Sequence, residues 1–141
     1  MTHIDFHVRP IQAQREHDLF ICKLVAKAWQ DGQRVHLHCQ DHHAQTALDE
    51  LLWTFQETSF VPHAVLGSAA ATSVAVTLGV GEEVPDIAQV LVNLHPEVPP
   101  FFSQFEQVIE STGADENTKT RARQRYKFYK DRGYSIAMIN A

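Results

Sequence analysis

The chain is short of positive charge almost everywhere. Of its twelve Lys and Arg residues, seven lie within residues 119–132, and only five serve residues 1–118, which carry sixteen Asp and Glu. That balance of −11 over residues 1–118 repels phosphate and argues against nucleic-acid binding by most of the surface. Long apolar runs are missing too. No window approaches the roughly 18 uninterrupted apolar residues of a membrane helix, and the start, MTHIDFHVRP, has no basic region followed by an apolar stretch. A cytoplasmic protein with no membrane partner is expected. Cysteine is limited to Cys22 and Cys39, both inside apolar patterns and without the paired spacing of a disulfide scaffold, so both read as buried thiols in a reducing compartment. Glycine is absent where a nucleotide fold needs it. There is no G-x-G-x-x-G and no G-x-x-x-x-G-K-[ST], and the first apolar stretch runs into Arg9, Pro10, Ile11 and Gln12. Without those glycines the backbone cannot approach a pyrophosphate closely.

What is present alternates between two periods. Residues 4–8 alternate apolar and polar and stop at Pro10, which predicts a strand. Over residues 14–30 the apolar positions recur at three and four, with Asp31-Gly32 as the stop. Residues 34–39 form a second strand with Val35, Leu37 and Cys39 on one face and His36 and His38 on the other. Asp41 then caps a helix that reaches about Thr54. Further strands are predicted at 74–78, at 87–94 as the central one, at 105–110 and at 134–139. Gly79, Gly81 and Pro85 make a turn, 67–73 a small-residue loop, 95–100 an irregular Pro-rich run and 101–105 a short helix or turn. Residues 115–133 form the last helix, ended by Gly133. The reading is an α/β protein, one domain over 1–141, with a three-layer, mostly parallel sheet and helices on both faces. It is a nucleotide-binding-like fold without the phosphate loop.

Candidate chemistry is thin. HLHCQDHH at 36–43 offers nitrogen and sulfur donors for zinc, but on a strand Cys39 points away from His36 and His38, and His42 and His43 fall on the outer side of the next helix. Glu82, Glu83 and Asp86 sit in a Gly- and Pro-containing turn, where acids are solvated. No acid–base set, metal or cofactor follows, and no catalytic residue is assigned.

The last helix is another matter. Residues 119–132 carry seven bases against Asp131 alone, or +6. At about 100° per residue, Lys119, Arg123, Tyr126, Lys127 and Lys130 share one side, and Arg121, Arg125, Phe128 and Arg132 the far side. Tyr126 and Tyr129 lie near Ala122 on a third stripe. The expectation is a helix docked by its tyrosines, with guanidinium and ammonium groups left facing outward. A solubilising helix mixes both signs, and this one does not. Trp53, Phe60 and Pro62 cluster at a helix end and loop. Read alone they form the margin of the core, but beside the basic helix they suggest a protein with one acidic and one apolar partner.

The stretch LDELLWTFQETSFVPH, with Trp53, Ser59, Phe60, Val61, Pro62 and His63, followed by RARQRYKFYKDRGY, resembles the chi subunit of bacterial DNA polymerase III holoenzyme. The resemblance implies an accessory protein without catalytic activity. It would link the psi subunit of the clamp loader to the acidic, Phe-ended C-terminal tail of single-stranded-DNA-binding protein, meeting DNA only indirectly. By that likeness Trp53, Phe60 and Pro62 stand where psi, or a competing helicase, docks. Arg123 stands at the tail's carboxylate with Lys119 nearby, Tyr126 walls the pocket for the last Phe, and Thr112 takes the place of an aliphatic wall residue. The alternative is direct binding of single-stranded nucleic acid by the basic helix.

Overall fold

The N-terminal alternation becomes β1 (His3–Val8), with Ile4 and Phe6 buried between polar neighbours. A computed structural model of the chain describes residues 2–8, 13–55, 61–68, 74–85, 89–112 and 115–140. The periodic stretch after β1 is α1 (Gln14–Gln30), and Gly32 at φ +82° provides the backbone reversal that stops it. β2 (Val35–His38) follows. Asp41 then caps α2 (His42–Thr54) as expected, accepting from the Ala44 N–H at 2.8 Å. After β3 (His63–Val65) and β4 (Val76–Gly79) come β5 (Val90–Asn93), a 3₁₀ turn at Phe102–Gln104 and β6 (Gln107–Thr112). The chain ends with α3 (Glu116–Asp131) and β7 (Ser135–Asn140).

The strands make one sheet in the order β3-β4-β2-β5-β6-β1-β7, and every pair in it is parallel. Strand alternation divides the side chains between two layers. Val35, Leu37 and Cys39 join Val76, Leu78, Val90 and Val92 under α1 and α2. Ile4, Phe6, Leu91 and Val108 pack with Ala122 and Tyr129 of α3 and with Phe101, Phe102 and Phe105. β5 is therefore buried on both faces, as its near-continuous apolar run requires. Cys22 and Cys39 are buried thiols, each pushed up to about 12, by burial first and the nearby carboxylates second.

Two local readings change. β3 is not predicted, because HAV is three residues long and follows Pro62, too short for a visible period. Gly79 ends β4 instead of opening a turn. A Cβ there would sit 3.0 Å from His36 Cε1, so the missing side chain is what lets the imidazole lie against the strand. The segments 86–88, at the start of the expected central strand, and 69–73, in the expected loop, lie outside the described residues.

The two histidines of β2 end up inside. His36 Nδ1 lies 2.8 Å from Thr77 Oγ1, its ring stacks on Phe105, and His38 stands edge-on to Phe101 at 5.1 Å. Burial, then the neighbouring imidazole (His38 for His36, His95 for His38), pushes both down to about 4. The unfolded chain, with histidines titrating near ~6.5, therefore binds protons between pH 4 and 6.5 that the folded chain does not. This stability is complete above pH 6.5 and is lost as pH falls towards 4, by roughly 2–3 kcal/mol per ring. Urea unfolding at pH 7 and pH 4.5 is expected to show that loss in the native chain and to show much less of it in a His36→Leu/His38→Leu double variant. Equal pH dependence in both proteins would remove the two rings as its source.

Candidate functional site

α3 is built to hold one face down and leave the rest out. Asp115 caps it, accepting from the Thr118 N–H at 3.0 Å and the Thr118 hydroxyl at 2.9 Å, and those bonds hold the Asp115 carboxyl below the usual carboxylate range. At the other end Gly133, at φ +79°, donates its N–H to Lys130 O. The face towards the sheet carries Ala122, Arg125 and Tyr129, all buried.

Arg125 departs from the expectation that the guanidinium and ammonium groups of this helix face outward. It is only 7% exposed, and its Nε donates at 2.9 Å to Glu110 of β6, which is 0% exposed. The same carboxylate accepts from Tyr129 Oη at 2.7 Å and from Asn93 Nδ2 at 2.9 Å, while Arg125 Nη1 and Nη2 donate to Pro96 O and Ser111 O. A buried carboxylate needs such partners. Burial raises the Glu110 pKa, and the guanidinium and the three donated hydrogen bonds pull it back. The Tyr129 hydroxyl is raised by burial and by the carboxylate it faces.

The rings on either side of that face fix its orientation. Phe128 meets Phe102 at 5.7 Å, over the 3₁₀ turn, and Tyr126 meets Phe6 of β1 at 6.1 Å. The flank that carries Tyr126 therefore looks towards β1 and β7. Lys119, Arg123 and Lys130 lie on it, with Arg123 exposed, Lys119 3.8 Å from Glu116, and Lys130 Nζ 5.9 Å from the Tyr126 ring. So the structure brings Lys119, Arg123 and Tyr126 together. Thr112, buried at the end of β6, borders a crevice of about 540 Å³ with Arg121 and Arg125 at the carboxyl ends of the strands, on the other flank. Sequence reading missed Met138, which is 50% exposed. Its register partner is Phe6, which places it on the α3 side of β7 beside the Tyr126 flank. The alternation of β7 was visible, but its exposure follows from its place at the sheet edge.

The second candidate surface is at the end of α2. Trp53 is 46% exposed and its ring lies 4.2 Å from that of His63, which is buried. His63 Nδ1 is 2.7 Å from Val61 O, and Nε2 is 2.9 Å from Asp49 O and 3.3 Å from Asp49 Oδ1. Pro62 is half-buried between Val61 and His63, and Phe60 lies outside the described residues. His63, quoted in the sequence motif without a role, is thus the support under Trp53. Among the described residues, no group of three His, Cys, Asp or Glu is placed to hold a metal ion, and no helix is long and apolar enough to cross a membrane.

The family model for DNA polymerase III chi subunit, HolC, matches residues 1–137. This chain belongs to the chi subunit family. The DNA polymerase III subunit chi of Pseudomonas aeruginosa is 35% identical over 136 residues, covering 96% of this chain and 94% of that protein. The chi subunit of Haemophilus influenzae is 31% identical over 84% of this chain and 83% of its own length, and that of Escherichia coli 28% identical over 82% and 80%. A replication role within the polymerase III assembly follows from this membership. Among solved structures, that of T4 UvsW superposes on 99% of this chain with a TM-score of 0.67 at 11% identity, a likeness of fold. The chi chain spans 41% of that protein's length.

The two classes of base on α3 separate experimentally. Arg125→Ala leaves Glu110 buried without its cation and is expected to cost about 3–5 kcal/mol in urea unfolding, whereas Arg123→Ala is expected to stay within about 0.5 kcal/mol. Similar losses from both would mean that Arg123 also supports the fold.

Proposed function

We propose that this chi-family chain is a non-catalytic adaptor, a single cytoplasmic domain that ties a psi-type clamp-loader subunit to the acidic C-terminal tail of single-stranded-DNA-binding protein. The observation that carries this reading is the shared flank of Lys119, Arg123 and Tyr126 on a helix already anchored by Arg125 and Tyr129. A terminal carboxylate pairs with the Arg123 guanidinium through charge-assisted hydrogen bonds. The last aromatic side chain finds apolar surface between Tyr126 and Met138, while Lys119 and Lys130 face the preceding acids. Trp53, near the end of α2, together with Pro62 and Phe60 of the sequence motif, serves psi or a helicase that competes for the same place. An exposed indole over a packed support is the kind of group that dominates interfaces. Contact with DNA is then indirect.

Titration with a peptide carrying the acidic, Phe-ended tail tests the first surface. Deleting the Phe, or Arg123→Ala in the protein, is expected to weaken binding at least tenfold with the melting temperature unchanged. Affinity that survives both changes would remove Arg123 from the site. Salt-sensitive binding of a bare oligothymidylate, with no binding of the peptide, would instead favour direct nucleic-acid binding by α3. For the second surface, Trp53→Ala is expected to abolish capture of a psi subunit while tail affinity stays the same. Loss of both would point to a folding defect, and loss of neither would move psi elsewhere.

A further inference from the structure

The outermost strand next to the basic flank is undefended. β7 closes the sheet order and, among the described residues, pairs with β1 alone, so the backbone groups along its other side face outward. Natural edge strands are protected by Lys, Pro, bulges or shortness. SIAMIN has six residues with no charge, no Pro and no Gly, and its burial pattern leaves Ser135, Met138 and Asn140 exposed. Such an edge is a template for an added strand.

Charge selects what is added. Lys119, Arg123 and Lys130 lie on the α3 flank that looks towards β7, and residues 119–132, which make up most of that helix, carry +6. The topology also sets a direction. α3 carries the chain from the end of β6 back to the start of β7, and both strands are parallel to β1. Lys119 and Arg123 therefore stand towards the C-terminal end of β7, and Lys130 towards its start. From Arg123 to Lys130 the helix rises about 10 Å, which an extended chain covers in about three residues.

We infer that the outer edge of β7 takes up an extended acidic peptide as an eighth, parallel strand, its carboxyl end at Arg123 and its acids along the Lys130 side of α3. This rests on the tail-binding reading above and specifies how the tail lies. Met138, on the α3 side of β7, receives the last side chain, and an acid about three residues upstream meets Lys130.

A scan of the acidic, Phe-ended peptide in which each backbone amide in turn becomes an ester tests the pairing, because an ester removes one N–H and leaves the side chains. Losses of about three- to tenfold at every second position, with little change between them, are expected, since only alternate residues of a parallel strand face its neighbour. Slowed hydrogen exchange at alternate β7 amides in the complex is expected alongside. A scan without alternation, or β7 exchange unchanged on binding, overturns the added strand while leaving tail binding intact. Failure of the unmodified peptide to bind overturns both.

Discussion

The Glu110 carboxylate and the Arg125 guanidinium hold the architecture around α3 together. Two buried charges are costly to desolvate, and they are tolerated here because the carboxylate also accepts from Tyr129 and Asn93 and the guanidinium also reaches two backbone carbonyls. One network thus joins β5, β6, α3 and the Pro-rich segment between β5 and the 3₁₀ turn. A purely apolar contact could slide by a turn. A fork of directed donors into one carboxylate sets both the rotation and the height of the helix on the sheet.

That setting is what distributes the remaining bases. With Ala122, Arg125 and Tyr129 inward, helical geometry sends Arg123, Lys119 and Lys130 to the β7 side and Arg121 and Arg132 to the other, where Arg132 lies 3.6 Å over the Phe128 ring. The surface chemistry of this chi chain is therefore a consequence of a core interaction. At the far edge, α2 and β3 carry a smaller arrangement of the same kind, in which a buried polar side chain, His63, underlies an exposed aromatic one.

Much of this was legible in the residues. Helix α1 matches its apolar spacing from end to end, and the Asp41 cap and the Gly133 stop are local chemistry that needs no tertiary contact. The alternation of strand and helix patterns pointed to a mostly parallel sheet, and every pair in the sheet is parallel. β3 was not legible, since three residues carry no period. Gly79 was misread because its role is set by a histidine more than forty positions earlier in the chain. The inward turn of Arg125 was hidden for a similar reason. An arginine in a basic run looks solvated until Glu110, on another element, supplies the opposite charge inside. At the candidate site, the bases and rings of α3 were visible from spacing, but Met138 was not, because only the strand order makes β7 an edge.

The support under Trp53 has a thermodynamic corollary. Both nitrogens of the His63 ring lie within hydrogen-bonding distance of backbone carbonyls, and the indole lies against that ring. The rotamer entropy of the tryptophan is then surrendered largely when the chain folds. A partner that covers it gains the burial of a large aromatic surface with little further loss of side-chain freedom. Loosening the histidine would leave the contact area the same and make each association event entropically more demanding.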